Sequence, residues 1–345
     1  MSDKMIRVGI VGAGANTTSR HIPGLQSIDG VEIISVCNRS RASSERVAQQ
    51  FNIPKIYGNW QELVQASDTD AIVIGTWPYM HCCLTLAALE ADKHVMCEAR
   101  MAMNAREAHM MYDVASMKPA LVTQIVPSPF TLSVDSTIKR YIANGYLGEI
   151  LAIEVRAGGQ FLDSETSLHW RENFNLSGFN IMSMGIWYEA MMRWIGEATR
   201  VIAVGKTFVK MREDENGVMR SVRVPEHIGI IADMACGAQA HYQISSVTGL
   251  SGGSEAFLYG SQGTLHFSNG KLYGGTRNDS GLSEIDIPDE EKGSWRVEEE
   301  FINAIRGEEI ITHTSFEDGV KYMEFTEAVT LSMMAGEAVS LPLLS

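Results

Sequence analysis

The chain has 345 residues, enough for about two domains of typical size, and 45% of them are hydrophobic. Its formal net charge of -14 argues against nucleic acid and anionic membranes as partners, and no apolar run approaches the length of a membrane span. The first predicted strand begins so near residue 1 that no signal peptide is expected. We therefore expect a soluble, cytoplasmic protein that acts on a small molecule.

The cysteines and histidines give no indication of a disulfide framework or a metal site. The five cysteines lie in apolar runs without C-x-x-C spacing, which is typical of buried, reduced thiols. The nine histidines are scattered, and no H-E-x-x-H motif occurs. We expect no bound metal.

Predicted strands alternate with predicted helices up to about residue 145. Apolar runs predict strands over 5–11, 31–37, 71–75, 94–98 and 120–124, and helical patterns cover 41–50, 79–91 and 104–116. Asn104 is the expected N-cap of the last of these helices, with Glu107 three residues on. The alternation predicts a doubly wound α/β domain of the Rossmann type, whose parallel sheet is covered on both faces.

The pattern changes after Gly148, where predicted strands follow one another. They cover 149–157, 199–209, 218–224, 227–235, 238–246, 255–260 and 263–267, with helices over 179–195, 295–306 and 316–334. This order predicts an α+β domain with an open-faced, mainly antiparallel sheet and helices on one face. We expect domains over 1–145 and 146–345, and the helix at 316–334 could pack back on the first domain.

A glycine-rich turn directly follows the first strand. Gly12 would make the tight turn, Gly14 would let the backbone approach a pyrophosphate, and Ala15 and Asn16 complete the loop. The next helix, from about Thr17, would present free N–H groups to the phosphates. Thr17 stands where the dinucleotide fingerprint has a small residue, which predicts looser helix–strand packing. A preceding strand and a following helix favour dinucleotide binding over a purely structural turn.

The second strand ends in Asn38 and Arg39, at the position where NAD-binding domains usually carry a carboxylate for the adenosine ribose. Asn38 lacks that negative charge, and Arg39 could pair with a 2′-phosphate. The alternative is that both belong to a solvated loop. The pair favours NADP(H) over NAD(H).

At this point the chain resembles the glucose–fructose oxidoreductase and inositol dehydrogenase family, Gfo/Idh/MocA. The matching stretches are VGIVGAGANTTSRHIPGL, TWPYMH, KHVMCEAR, GYLGEI, HWRENFNLSG, FINAIRG and SFEDGVKYMEFTEAVTLS, in that order. The resemblance implies a Rossmann domain followed by an open-faced sheet domain, and assembly through that sheet into a homodimer or homotetramer. It also implies NAD(P)-dependent oxidation or reduction, typically of sugars or cyclitols.

The resemblance also implies cofactor contacts outside the glycine turn. The residues concerned are Thr76, Pro78 and His81 on the nicotinamide side, Trp77 in the same loop, Glu98 beside the nicotinamide ribose, and the pair Trp170 and Arg171 near the cleft. Each occupies the matching position of the family's motifs.

The residues that handle the proton depart from the family's pattern. Oxidation of an alcohol by hydride removal needs a base for the hydroxyl proton. The resemblance implies a lysine after the glutamate, and an Asp and a His four residues apart on the helix at 179–195. Ala99, Ser183 and Trp187 stand at these positions, and Arg100 replaces the following proline.

Four residues are the expected substrate contacts. Arg100 stays protonated and could clamp a carboxylate or hydroxyls. Asn180, Ser183 and Trp187 are expected on one face of the helix, directed into the cleft. The alternative for Trp187 is an ordinary core aromatic residue.

Two residues could replace the missing base, His169 and Tyr188, whereas Glu189 is expected to be a surface carboxylate. Three functions stay open. The first is an NAD(P)-dependent oxidoreductase acting on a small sugar-like or cyclic substrate with a relocated proton relay. The second is a reductase of a conjugated C=C or C=N bond. The third is a catalytically silent protein that binds nucleotide and ligand.

Overall fold

The structure, a computed structural model, describes residues 5–343. The chain divides into two compact units. The first contains the chain through Pro127 together with Arg296–Val320, and the second contains Ser128–Trp295 and the chain from Lys321 onward. Residues 128–145 thus belong to the second unit and residues 296–320 to the first, so each unit is made of two separate segments of the chain.

The first unit is built on a six-stranded parallel sheet. Its strands are β1 (Ile6–Val11), β2 (Val31–Cys37), β3 (Lys55–Ile56), β4 (Ala71–Ile74), β5 (His94–Cys97) and β6 (Thr123–Ile125). They lie in the order β3-β2-β1-β4-β5-β6, which is the order of dinucleotide-binding domains. All four residues of β4 are buried, as expected of a strand covered on both faces. The predicted Rossmann fold is confirmed.

Helices connect these strands. They are α1 (Ile22–Gln26), preceded by a π-helical turn over Thr17–His21, then α2 (Arg41–Phe51), α3 (Trp60–Gln65), α4 (Pro78–Glu90) and α5 (Ala105–Ser116). Asn104 caps α5 as predicted, because its side chain accepts a hydrogen bond from the Glu107 N–H. The six-residue helix α3 was not predicted from the sequence.

The second unit contains a nine-stranded sheet and a separate hairpin. Its strands are β7 (Ile150–Gly159), β8 (Ala198–Lys206), β9 (Met211–Glu213), β10 (Met219–Ser221), β11 (His227–Met234), β12 (Gln239–Gly249), β13 (Glu255–Gly260), β14 (Gly263–Ser268), β15 (Lys271–Thr276), β16 (Ser283–Ile285) and β17 (Val339–Ser340). The sheet order is β16-β15-β14-β13-β7-β12-β11-β8-β17. Its pairs are antiparallel except for β7 with β12. The predicted strand at 218–224 does not join this sheet, because β10 pairs only with β9.

Helices of the second unit begin with α6 (Asp135–Ala143), α7 (Phe174–Ser177) and α8 (Met184–Ile195). Two C-terminal helices follow, α9 (Val297–Arg306) in the first unit and α10 (Phe316–Ala335), which crosses the partition at Val320. Short 3-10 turns cover Trp170–Glu172 and Asp289–Glu291.

The two faces of the nine-stranded sheet differ in burial. Residues alternate along β11 and β12, so that Ile230 and Tyr242 are buried while Ile231 on the opposite face is 43% exposed. Val204 on the neighbouring β8 is 77% exposed. The open-faced sheet predicted from the sequence is confirmed.

Two expectations concern membranes and metals. Within residues 5–343, no helix is both long enough and apolar enough to cross a membrane. The same part of the chain holds no group of His, Cys, Asp and Glu side chains arranged to bind a metal ion.

Candidate active site

The glycine turn after β1 is packed tightly against the end of β4. Gly12 has φ +86°, and a Cβ there would lie 2.7 Å from the Thr76 backbone nitrogen, so only glycine fits. Gly14 differs, because the nearest atom to a Cβ would be the Gly75 carbonyl oxygen at 3.5 Å. Gly14 and Ala15 are exposed. The turn therefore offers bare backbone to a ligand, which fits the pyrophosphate of a dinucleotide.

Thr17 does not loosen the packing of the helix on the strand, contrary to the sequence-based expectation. It is buried, with 1% exposure, and its hydroxyl donates to the Gly12 carbonyl. A Cβ at Gly75 would lie 2.1 Å from the Thr17 Oγ1. The glycine on the opposing loop thus provides the space that the larger Thr17 side chain occupies.

Asn38 joins the glycine turn to α2. Its side-chain oxygen accepts a hydrogen bond from the Ala13 N–H at 2.6 Å, and its amide nitrogen donates to the Ser43 hydroxyl at 3.0 Å. Both halves of the side-chain amide are therefore engaged within the protein. Arg39 is exposed, and its guanidinium lies 5.7 Å from the centroid of the Trp77 ring. The structure thus brings together two of the residues predicted to contact the cofactor.

His81 fixes the loops that follow β4 and β5. It is fully buried in α4, which begins at Pro78. Its Nε2 lies 3.0 Å from the Thr76 carbonyl oxygen, and its Nδ1 lies 3.0 Å from the Arg100 carbonyl oxygen. Burial lowers the pKa of His81, although the carbonyl contacts act in the opposite direction. His81 is therefore neutral, and its single ring N–H can donate to only one of the two carbonyls at a time.

Glu98 follows β5 and is the centre of a polar network in the first unit. Its Oε1 accepts a hydrogen bond from the Asn16 amide at 2.5 Å and lies 2.9 Å from Nε2 of His21. Nδ1 of His21 contacts the Glu298 carboxylate on α9. His21 is completely buried, whereas the Glu98 side chain remains 15% exposed. The network leads from the accessible carboxylate of Glu98 into the interior.

The charges in this network support one another. Burial lowers the pKa of His21, but its contacts with Glu298 and Glu98 outweigh this effect and raise the pKa to about 9. Burial likewise disfavours ionised Glu98, and the His21 contact overcomes it and lowers the pKa of Glu98. At neutral pH the network therefore holds an imidazolium between two carboxylates. Asn16 and Glu98 are among the cofactor contacts predicted from the sequence, whereas His21 and Glu298 are not.

Arg100 lies at the position where the resemblance implies proline. The peptide bond between Ala99 and Arg100 is cis. The Arg100 residue is only 4% exposed, so little of its side chain is accessible to a substrate.

His169, Trp170 and Arg171 lie at a short 3-10 turn of the second unit. His169 Nδ1 accepts a hydrogen bond from the Arg171 N–H at 3.3 Å, and the Glu172 carboxylate accepts one from the His169 N–H at 3.0 Å. Arg171 stacks over the Trp170 ring at 4.2 Å. Partial burial lowers the pKa of His169, with the Arg171 charge acting in the same direction. The ring is therefore neutral at pH 7 and, because Nδ1 accepts a hydrogen bond, carries its proton on Nε2.

The residues at the start of α8 do not form the expected shared helical face. The helix begins at Met184 and not at 179, because the chain turns at Gly178 and Met182, which both have positive φ angles. Asn180 therefore precedes the helix, is fully buried, and donates to the Ser177 carbonyl at 2.7 Å. Ser183, at the N-cap position, is partly exposed.

Trp187 and Tyr188 are core residues of the second unit. Trp187 is 2% exposed and packs against Phe130, with ring centroids 5.3 Å apart. Tyr188 is 1% exposed, and its ring stacks on Phe325 at 3.7 Å. Its hydroxyl accepts a hydrogen bond from the Ala198 N–H, and burial raises its pKa far above the usual value. These contacts argue against Tyr188 as the proton-transferring group.

Glu189 belongs to a buried ion-pair network, so the expectation of a surface carboxylate is wrong. It pairs with Arg193 at 2.7 Å and accepts a hydrogen bond from the Ser128 N–H at 2.9 Å. Arg193 also pairs with Asp135 at 2.9 Å, and Asp135 accepts a hydrogen bond from the Trp194 indole. The network ties α8 to the start of α6 and to the segment before it. A Glu and an Arg four residues apart on an apolar helix were the signal available in the sequence.

Two parts of the chain match the sequence patterns of one family. Residues 6–125 match GFO_IDH_MocA, described as an oxidoreductase family with an NAD-binding Rossmann fold. Residues 136–266 match the GFO/IDH/MocA C-terminal domain.

Curated relatives share about a quarter of the aligned residues. Trans-1,2-dihydrobenzene-1,2-diol dehydrogenase of Bos taurus is 24% identical over 253 residues, which are 72% of this chain and 70% of that protein. Glucose-6-phosphate 3-dehydrogenase of Bacillus subtilis is 28% identical over 220 residues, 61% of each chain. The matched part spans 59–62% of the length of several other relatives.

Solved structures share the fold over almost the whole chain. Levoglucosan dehydrogenase in complex with NADH and levoglucosan superimposes with a TM-score of 0.86, covering 98% of this chain and 100% of that chain at 19% identity. At this identity the likeness establishes the fold alone.

Proposed function

Because the chain belongs to the GFO/IDH/MocA oxidoreductase family, we propose that it is an NAD(P)-dependent oxidoreductase acting on a small sugar-like or cyclic substrate. Two features at the same edge of the sheet support the proposal. The glycine turn after β1 exposes backbone without side chains, and Glu98, which follows β5, is ionised. Ligands of doubly wound sheets bind at the carboxyl ends of the strands, where both features lie.

The residues of the first unit fit a dinucleotide along its length. The turn at Gly12–Ala15 would hold the pyrophosphate, and Arg39 with Trp77 would border the adenosine end. Glu98 would accept hydrogen bonds from the nicotinamide ribose, as the resemblance implies. When bound, the nicotinamide gives or takes the hydride.

We also propose that the protein prefers NADP(H). Arg39 is exposed beside Trp77, whereas the usual ribose-binding carboxylate is replaced by Asn38, whose amide is occupied by the turn and by Ser43. A guanidinium forms a charge-assisted, often bidentate pair with a phosphate, which is stronger than its hydrogen bond to a neutral hydroxyl.

The substrate is proposed to be a cyclic polyol, its ketone, or an anhydro sugar. Two relatives carry names that indicate such molecules, a dihydrobenzenediol dehydrogenase and a levoglucosan dehydrogenase. Trp170 stacked with Arg171 offers a flat surface of the kind on which rings pack. Of the four residues predicted to contact the substrate, Ser183 is partly exposed, whereas Arg100, Asn180 and Trp187 are buried.

We propose that His169 hydrogen-bonds the substrate oxygen at which the proton is gained or lost. His169 is exposed and neutral at pH 7; the Arg171 N–H donates to its ring, and the Glu172 carboxylate accepts from its backbone N–H. Its Nε2–H makes it better suited to hydrogen-bond a carbonyl oxygen than to remove a hydroxyl proton. A carbonyl oxygen is present in a cyclic ketone and in an enone, so this observation favours the reducing direction, with hydride arriving from the cofactor. The second candidate function, a reductase of a conjugated C=C or C=N bond, also works in this direction.

Assembly into a homo-oligomer is proposed to use the open face of the nine-stranded sheet. Val204 is 77% exposed there, with Ile202 and Ile231 beside it at 41% and 43%. An apolar surface of this kind is usually covered in solution. A second copy of the same face could cover it through a two-fold contact.

The experiment incubates the purified protein with NADP⁺ or NAD⁺ and a panel of cyclic diols and anhydro sugars, and with NADPH or NADH and the matching ketones and enones. Nicotinamide absorbance reports turnover. Turnover of any cyclic alcohol supports a dehydrogenase, and turnover of enones alone supports the reductase. Tight nucleotide binding with no hydride transfer, even to ligands shown to bind, would mean a catalytically silent protein.

A further inference from the structure

A buried histidine, His21, lies directly behind the accessible glutamate of the cofactor site. His21 is 0% exposed and contacts two carboxylates, Glu98 through Nε2 and Glu298 through Nδ1. Because both ring nitrogens face an acceptor, the protonated imidazolium satisfies both contacts and a neutral ring satisfies one. The two acceptors of His21 are carboxylates, whose negative charge the imidazolium neutralises, so the contacts favour the charged form. The two acceptors of His81 are neutral carbonyls and offer no such compensation.

The position of Glu98 depends on this contact. Its Oε1 is shared between the Asn16 amide and His21, and its Oε2 accepts a hydrogen bond from the Ala99 N–H at 3.2 Å. His21 is the only one of these three donors that carries a charge. A charge-assisted hydrogen bond is roughly twice as strong as a neutral one.

His21 is held in turn by α9, which comes from the far end of the chain. Glu298 lies in the first turn of α9, where the helix favours a carboxylate. The Glu298 side chain passes over Gly24. A Cβ at Gly24 would lie 3.0 Å from three side-chain atoms of Glu298. The glycine leaves just enough space for this carboxylate to reach His21.

We propose that His21 is a positioning residue of the cofactor site, which keeps Glu98 ionised and directed toward the nicotinamide ribose while Glu298 holds His21 in place. The inference rests on the proposed function, because it takes Glu98 as a ligand of the cofactor. Because His21 is completely buried, it acts on the cofactor through Glu98 and not by direct contact.

The charged groups around His21 determine how the arrangement responds to pH. Glu98 and Glu298 are the carboxylates that face it, and Asn16 is the neutral polar neighbour. Around Glu98, His81 is neutral, and burial keeps the Cys97 thiol protonated by raising its pKa. Loss of the His21 proton would leave two buried carboxylates with one remaining ring donor. Glu98 would then lose its charged partner, and cofactor binding would weaken.

The test measures the Kd of NADPH and of NADH by tryptophan quenching between about pH 7 and about pH 10. Wild-type affinity should be constant near neutral pH and fall as the pH passes about 9, where His21 loses its proton. His21→Gln should bind about tenfold more weakly at neutral pH, the cost of one charge-assisted hydrogen bond, and should lack the alkaline step. Glu298→Gln should move the step to lower pH, because one of the two carboxylates that hold the proton is gone.

His313→Gln is the matched control, because this histidine of the first unit is 40% exposed and contacts Glu300 instead. It should retain the wild-type step. Thermal unfolding of each variant checks that it folds, and the wild-type profile tests the proposal without any substitution. An alkaline step that persists in His21→Gln, or does not move in Glu298→Gln, would overturn the positioning role. Absence of nucleotide binding in the wild type would overturn the proposed function itself.

Discussion

Replacing Arg193 by methionine should strongly destabilise the second unit. The Arg193 side chain is 8% exposed and pairs with Glu189 and Asp135, which are 5% and 6% exposed. Methionine fills a similar volume but leaves two carboxylates buried without their cation. Removing one partner of a buried ion pair typically costs about 3–5 kcal/mol.

The loss should appear as a fall in the free energy of unfolding in denaturant, and as a drop of roughly 10 °C in the midpoint of thermal unfolding. Arg296→Met is the matched control, because Arg296 is 47% exposed and pairs with Glu299 on the surface. Exposed pairs of this kind contribute less than about 1 kcal/mol. The double variant Arg193→Met with Glu189→Gln should lose less than Arg193→Met alone, because only one unpaired carboxylate then remains. Equal small losses for Arg193→Met and Arg296→Met would mean that the buried pairs of Arg193 contribute no more than a surface pair.

Further predictions concern the cofactor site and its pH dependence. Gly14→Ala should leave thermal stability unchanged, because the nearest protein atom to the new Cβ lies at 3.5 Å, and should weaken nucleotide binding at least about tenfold if the turn holds a pyrophosphate. Arg39→Ala should weaken NADPH binding by about tenfold and spare NADH, whereas an equal loss for both would contradict a 2′-phosphate contact. His169→Asn should abolish turnover without changing nucleotide affinity, and a loss below about tenfold would remove His169 from proton transfer. The folded-state pKa of His21 lies above the ordinary value of 6.5. The protonated His21 therefore stabilises the folded protein fully below about pH 6.5, and this stabilisation is lost as the pH rises through about 9. In urea unfolding, the free energy of unfolding should fall by about 3 kcal/mol over this window in the wild type and not in His21→Gln.

Much of the fold follows from local patterns in the sequence. Apolar runs of four to seven residues ending in glycine or polar residues predict β1, β2 and β4 to within one residue of each end. Asn104 is recognisable as a cap because the rule involves only neighbouring residues. The helix expected from 179 fails because apolar periodicity does not reveal the positive φ angles at Gly178 and Met182, which interrupt the chain before Met184.

The site was predicted less completely because its contacts are distant in the sequence. His21 and Glu298 are 277 residues apart, and no pattern along the chain connects them. Thr17 fits its tight position because Gly75, on another loop, leaves space. The aromatic character of Trp187 was visible, but only its contacts with Phe130 and Phe267 show that it packs in the core.

Binding of a dinucleotide by the glycine turn can be measured by an equilibrium titration of wild-type protein and Gly14→Ala with NADPH and NADH. Saturable binding to the wild type, with tighter binding of NADPH and a loss in Gly14→Ala at unchanged stability, is the predicted result. Absence of binding for both nucleotides, or equal affinities of wild type and Gly14→Ala, would mean that the glycine turn does not bind a dinucleotide.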